Sequence, residues 1–243
     1  MWDNPRLLNA AANALIALAL LLGAGAGLQL LLRSPLFPLR EIVVRGELKH
    51  ATRAEVAAAA AGFGGNFFAV DLGALRRRFE QSPWVRRVDA RRVWPDRIEV
   101  RLEEHVPLAR WGDEGYVDTY GEPFSAALAG DAAAALPLFA GPAGTEGEVA
   151  RRYRLFAAIL APLGDRPERV ILTPRHAWQL RLASGLAVEL GRDGTEPVEQ
   201  RLAHFASVWP QALALLPPGG PDAHYVDLRY PNGFALRVPG LKG

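Results

Sequence analysis

Residue types able to do chemistry are sparse and scattered along this chain. The five histidines, His50, His105, His176, His204 and His224, fall in no HExxH or paired metal-ligand spacing, and there are no cysteines. A thiolate metal site, a disulfide framework and a cysteine nucleophile are therefore excluded, and no GxSxG elbow presents a serine. Glu103 and Glu104 are adjacent; on a strand they point to opposite faces and cannot work together as acid and base. Gly62-Phe63-Gly64-Gly65 lacks both GxGxxG order and the lysine of a phosphate loop, and it joins two predicted helices, so it reads as a turn. Asp118 and Asp227 suit turn and register roles. No metal site and no cofactor site is expected.

What remains is charge and shape. Arg76, Arg77, Arg78, Arg86, Arg87, Arg91 and Arg92 make a local basic cluster, which reads as a solvated face or as a surface for anionic headgroups or an acidic partner segment. The net charge is only +2, without the strongly basic face of a nucleic-acid binder.

The elements that position these residues begin with Leu7 to Leu32, which carries no charge between Arg6 and Arg33. At about 1.5 Å per residue such a helix crosses a hydrocarbon core of roughly 30 Å. A cleaved signal peptide is the competing reading, with Gly23 to Gly27 as its small-residue region; the leucines at 28 and 30–32 extend the apolar run past a usual signal core. The expectation is a short cytoplasmic tail over residues 1–6, a transmembrane helix over 7–32 and the rest of the chain outside the cytoplasm. Gly23 and Gly27 also form a GxxxG pair, a weak helix-contact motif.

After the anchor, Ile42 to Val44 read as a strand. Thr52 and Glu55 stand at capping-box spacing before an alanine-rich helix ending at Gly62, and Asp71 caps a helix with Leu72, Leu75 and Phe79 on one face. Strands come next over Val85 to Val93 and Ile98 to His105, joined through Trp94-Pro95-Asp96-Arg97. The unit is β-α-α-β-β, with Pro107 and the Gly112 to Gly115 turn marking its join to a second domain. Beyond lie a hairpin over Gly115 to Phe124, a loop at Gly141-Pro142, and a helix with Thr145 and Glu148 as capping box and Val149, Tyr153, Phe156 and Leu160 on its buried face. Strands over Arg169 to Leu172, Ala177 to Ala183 and Leu186 to Leu190 come next. Then come a helix capped by Thr195 and kinked or ended by Pro210, and a last hairpin about Asn232-Gly233. The fold class is α+β: one transmembrane helix, a β-α-α-β-β domain over 37–106, and a mixed antiparallel sheet domain with flanking helices over 107–240.

Those residues carry a resemblance. The β-α-α-β-β order together with SPWVRRVDARRVWPDRIEVRLEEHVPLARW is similar to the POTRA domain of the FtsQ family of bacterial cell-division proteins, called DivIB in other lineages. The valine-aspartate-threonine stretch at 117–119 and YVDLRYPNGFALR at 225–237 extend the resemblance to Val238. It implies a non-enzymatic divisome scaffold, single-pass in the cytoplasmic membrane at the septum, whose outer part binds FtsB with FtsL accompanying it and whose POTRA domain engages other division proteins. Partner contacts are implied at Arg175, Val208, Arg229, Tyr230, Asn232, Gly233 and Phe234. The alternative class is an envelope hydrolase whose site assembles from residues distant in sequence.

Overall fold

A computed structural model describes residues 5–32, 34–113, 115–214, 224–230 and 233–237. The chain forms two compact units, Met1–Glu104 and His105–Gly243.

The first unit opens with α1 (Pro5–Leu32), whose segment Asn9–Leu32 is long and apolar enough to cross a membrane and is not covered by the rest of the unit. The expected order then appears: β1 (Glu41–Arg45), α2 (Arg53–Ala60), α3 (Leu72–Phe79), β2 (Val85–Val93) and β3 (Arg97–Glu104). Thr52 Oγ1 accepts the Glu55 N–H and the Glu55 carboxylate accepts the Thr52 N–H, which completes the capping box. Asp71 accepts the N–H groups of Gly73 and Ala74, which stabilise its charged form and lower its pKa. Because two helices intervene between β1 and β3, those strands can pair in parallel; the sheet order is β1-β3-β2. Leu75, Phe79, Ile98, Val100 and Leu102 close the core beneath the helices.

The polar groups that stand out in the sequence are absorbed into this scaffold. Arg86 pairs with Glu103 at 2.9 Å and Arg91 with Glu99 at 3.2 Å, while Arg92 donates to the carbonyls of Phe67, Phe68 and Val70. The basic run thus partly serves to hold the glycine loop and the β2–β3 pair together. Glu104 points opposite to Glu103, and its buried carboxylate accepts N–H groups of Lys49, His50 and Ala51 at 2.9, 3.1 and 2.7 Å. It fastens the segment before α2 to the end of β3.

In the second unit, β4 (Pro107–Trp111), β5 (Gly115–Asp118) and β6 (Pro123–Phe124) lead through a short helix, α4 (Gly130–Ala134), to β7 (Leu138–Ala140). Then come α5 (Glu146–Leu160), β8 (Pro167–Leu172), β9 (Ala177–Leu182), β10 (Ala187–Arg192), α6 (Val198–Ala214), β11 (Tyr225–Asp227) and β12 (Ala235–Arg237). They build one mixed sheet of order β12-β11-β10-β9-β8-β7-β4-β5-β6. The helices explain two of its parallel pairs, since α5 carries the chain from β7 to β8 and α6 from β10 to β11. Both pack on one sheet face, where Val149, Phe156, Leu160, Val198, Leu202 and Phe205 meet Val170, Trp178, Leu180 and Val226.

Several local expectations are corrected here. The stretch read as a join contains β4, and the residues leading to the Gly141 loop contain β7. Neither shows a clear alternation; β4 is held by β5 and β7 by β8, and the two pair with each other through Arg110 with Leu138 and Trp111 with Phe139. Thr145 makes no cap: its backbone is not extended, and its hydroxyl donates to the Pro142 carbonyl at 2.6 Å. Thr195 lies too far ahead of α6 to cap it. The Val198 N–H is accepted instead by Asp193, whose other oxygen pairs with Arg152 at 2.6 Å. Of the two outcomes expected at Pro210, an end to the helix does not occur: α6 continues to Ala214, with Pro210 on an exposed face. The last hairpin pairs as expected, Asp227 opposite Ala235; of the Asn232-Gly233 signal, Asn232 lies outside the described residues.

Candidate partner-binding surface

Two polar centres form in the second unit. The first locks a hairpin. Buried Asp118 accepts the N–H groups of Tyr120 and Glu122 at 2.8 Å each with one oxygen and meets His105 Nδ1 at 2.9 Å with the other. The His105 ring stacks on Phe124, centroids 4.4 Å apart. His105, Asp118 and Glu122 are the one group of three metal-ligating side chains brought together among the described residues. One Asp118 oxygen closes the turn, the role its sequence position suggests, and the other is engaged by His105.

The second centre lies at one end of the sheet, where an open concavity of about 560 Å³ is lined by Thr173, Pro174, Arg175, Ala177, Arg192 and Arg229. Arg175 is presented by the β8–β9 turn. There Thr173 Oγ1 accepts the Ala177 N–H at 3.0 Å, the Thr173 carbonyl accepts the His176 N–H at 2.8 Å, and His176 takes a left-handed φ of 56°. Arg229 is held by Asp227, whose carboxylate accepts from Arg229 Nε at 2.8 Å, from its terminal nitrogen at 2.6 Å and from its backbone N–H at 3.0 Å. This side-chain hydrogen bonding lowers the Asp227 pKa against the opposing effect of burial and raises that of Arg229.

The stem of Arg229 crosses Gly191, which has φ of 72°; a Cβ there would sit 2.9 Å from Arg229 Cγ. Gly191 thus both supplies the backbone conformation at the β10 irregularity and leaves the space that fixes Arg229.

The pairing has a pH signature. A carboxylate whose folded pKa is depressed contributes stability that is complete above its unfolded value, about 3.9, and is lost as pH falls through the lower folded value. The Arg229 Nε–H resonance is expected to hold its shift from neutrality to about pH 4 and to move only below that. Movement with a midpoint at or above the ordinary aspartate value would disprove the clamp.

Beside this centre, Tyr230, Gly233 and Phe234 converge with Arg201, His204 and Phe205 of α6 on a smaller hollow of about 150 Å³. Tyr230 is 56% exposed. Phe234 is half-buried and packs edge-on against Phe205, centroids 5.5 Å apart, so it anchors the hairpin to α6. Val208 is half-buried one helical turn beyond His204. Asn232 lies outside the described residues. The structure therefore brings Arg175 to Arg229, and Tyr230 to Gly233 and Phe234. It adds Arg192, Gly191 and Asp227, which sequence reading missed; the one local signal was Asp227 two residues before Arg229, on the same side of the chain. Among the described residues, β12 ends the sheet and pairs with β11 on one side only.

Residues 37–105 match the model of the FtsQ-type POTRA domain, and residues 109–229 match that of the C-terminal part of cell division protein FtsQ/DivIB. The chain is 46% identical to cell division protein FtsQ of Burkholderia pseudomallei over all of its own length and 96% of the relative's. It belongs to the FtsQ/DivIB family. FtsQ of Bordetella pertussis is 39% identical over 99% of the chain and 94% of the relative, and FtsQ of Escherichia coli 34% over 82% and 72%. The FtsQ family places the protein in cell division, and the FtsQ/DivIB match runs through the Arg175 turn and ends at Arg229.

Proposed function

We propose that this protein is a non-enzymatic scaffold of the division machinery, held by α1 in the cytoplasmic membrane with both folded units in the periplasm at the septum. It binds FtsB, with FtsL accompanying it, and so organises septal peptidoglycan synthesis. The observation that carries this reading is the one-sided strand β12 beside the Arg175–Arg229 concavity and exposed Tyr230. An edge strand with unpaired backbone groups accepts a partner strand, whose main chain supplies affinity while neighbouring side chains set register and choice. FtsB adds its strand to β12, and carboxylates on its flank meet Arg175, with Arg229 held ready by Asp227. The hydrolase alternative draws no support from the charge pattern: the mutually shifted pair Asp227 and Arg229 neutralises itself.

The test is the affinity of the full chain in detergent micelles for a synthetic FtsB peptide. Arg175 is exposed, so reversing it leaves the fold intact and sets like charges against each other. Arg175→Glu is expected to weaken binding about tenfold. Equal affinities for parent and variant, or no binding by the parent, would refute the reading.

A further inference from the structure

The sheet of the second unit has a second face, opposite α5 and α6, and it carries an arginine row. Register places Arg169 directly opposite Arg181, Arg181 opposite Ala187, Ala187 beside Tyr225 and Tyr225 opposite Arg237, across five adjacent strands. Through Leu138 the same row reaches Arg110. The next row, Val170, Leu180, Val188, Val226 and Leu236, packs beneath the helices, so strand alternation turns the arginine row to the open side.

Like charges directly opposite each other on neighbouring strands cost stability. Arg169 and Arg181 are exposed and, among the described residues, have no ion pair or side-chain hydrogen bond to offset that cost. Arg110 Nε is buried without a partner. Between the arginines the face is concave: a depression of about 250 Å³ has Ile171, Ala187 and Tyr225 in its lining. Its one acid, Glu189, accepts a hydrogen bond from Gln179 at 2.9 Å. Arg237 lies over the Tyr225 ring, 5.8 Å from its centroid.

We infer that this face is a second docking surface, for an acidic polypeptide segment that sets an apolar side chain into the Ile171–Tyr225 depression and carboxylates against Arg169, Arg181 and Arg237. Charge complementarity selects an anionic occupant, because an uncompensated arginine pair opposite itself is relieved by negative charge. Concavity selects a polypeptide over a lipid surface. A headgroup layer meets a flat or protruding basic face with apolar groups inserted outward, whereas here the apolar groups form a floor. The surface reaches β12 through Arg237 but lies on the face of the sheet, centred on Arg169 and Arg181, apart from the strand's free edge and the Arg175–Arg229 concavity, so two partner segments can be held at once.

The probe is a fluorescent synthetic peptide of alternating Glu and Leu, titrated against the full chain in phosphatidylcholine nanodiscs at low and physiological salt, with a Lys and Leu peptide as control. The acidic peptide should bind more tightly at low salt and the basic one should not bind. Arg169→Glu with Arg181→Glu should weaken acidic-peptide binding at least about tenfold, with near-UV circular dichroism unchanged, and Arg169→Gln with Arg181→Gln should give a smaller loss in the same direction. Arg175→Glu should leave this binding intact and an FtsB peptide should not compete, which separates failure here from failure of the β12 reading. Three results would each overturn the inference: affinity unchanged by reversal at Arg169 and Arg181; an equal loss from Arg78→Glu with Arg87→Glu in the first unit; or phosphatidylglycerol vesicles, and not the peptide, responding to Arg169 and Arg181.

Discussion

Trp178→Ala should lower the stability of the second unit by about 3–5 kcal/mol, the usual cost of removing a large aromatic from a packed core. Trp178 is 1% exposed and lies in the middle of β9, between β8 and β10. Phe156 of α5 meets it edge-on at 5.7 Å between centroids, and the Arg152 guanidinium stands 5.5 Å from the ring centroid. Arg152 in turn pairs with Asp193, which accepts the first N–H of α6. Loss of the indole therefore opens a cavity under α5 and also loosens the contact that ties the start of α6 to the sheet. In guanidinium denaturation of the full chain, the transition of this unit should move down by about 1 M, given typical slopes of a few kcal/mol per molar. Trp178→Phe, which keeps a ring against Phe156, should lose visibly less. A midpoint for the alanine variant within error of the parent would mean that the ring is not the keystone of this core.

Tyr230→Ala should cost about 2 kcal/mol or more in FtsB affinity, roughly 30-fold, because exposed aromatics at the rim of an edge strand belong to the class of residues that dominate interfaces when truncated. Tyr230 lies over half exposed and next to Arg229, whose pose is already settled by Asp227 and Gly191. A partner strand laid along β12 would cover the ring and exclude water from the Arg229 ion pair, so the aromatic would contribute in two ways. Since Tyr230 contributes little to the core, the variant should keep the parent's thermal midpoint while losing affinity. Tyr230→Phe should retain most of the binding if ring area dominates. Unchanged affinity for Tyr230→Ala, measured beside a correctly folded parent, would move the interface away from the last hairpin.

Much of the first unit was legible because its signals act within a few residues. Thr52 and Glu55, Asp71 with Gly73 and Ala74, and the alternation of Ile98, Val100 and Leu102 each concern neighbours along the chain. Composition alone marks α1, since an uninterrupted apolar run needs no tertiary partner to be recognised. The faces of α5 and α6 were likewise readable, since Val149, Phe156 and Leu160, or Val198, Leu202 and Phe205, recur at helical spacing. The candidate site was legible in part. Arg175, Arg229 and Tyr230 could be named from the family resemblance, but nothing local told that Arg175 and Arg229 share one concavity.

The tertiary structure alone decided what depends on pairing between distant segments. Strands β4 and β7 show no clear period in the sequence, and they exist because β5 and β8, and each other, complete their hydrogen bonds. Thr145 and Thr195 carry the right residue type for caps, yet backbone conformation denies the first and distance the second, and Asp193 reaches the start of α6 in place of Thr195. Glu104 and Glu103 look alike in sequence. One becomes a buried acceptor for three N–H groups and the other a surface ion pair, because strand alternation assigns them opposite faces and only the fold says what each face meets. The arginine row is the same kind of fact: its members are separated by strands and helices in the chain and become neighbours only through sheet order and register, which are set by burial of the opposite face.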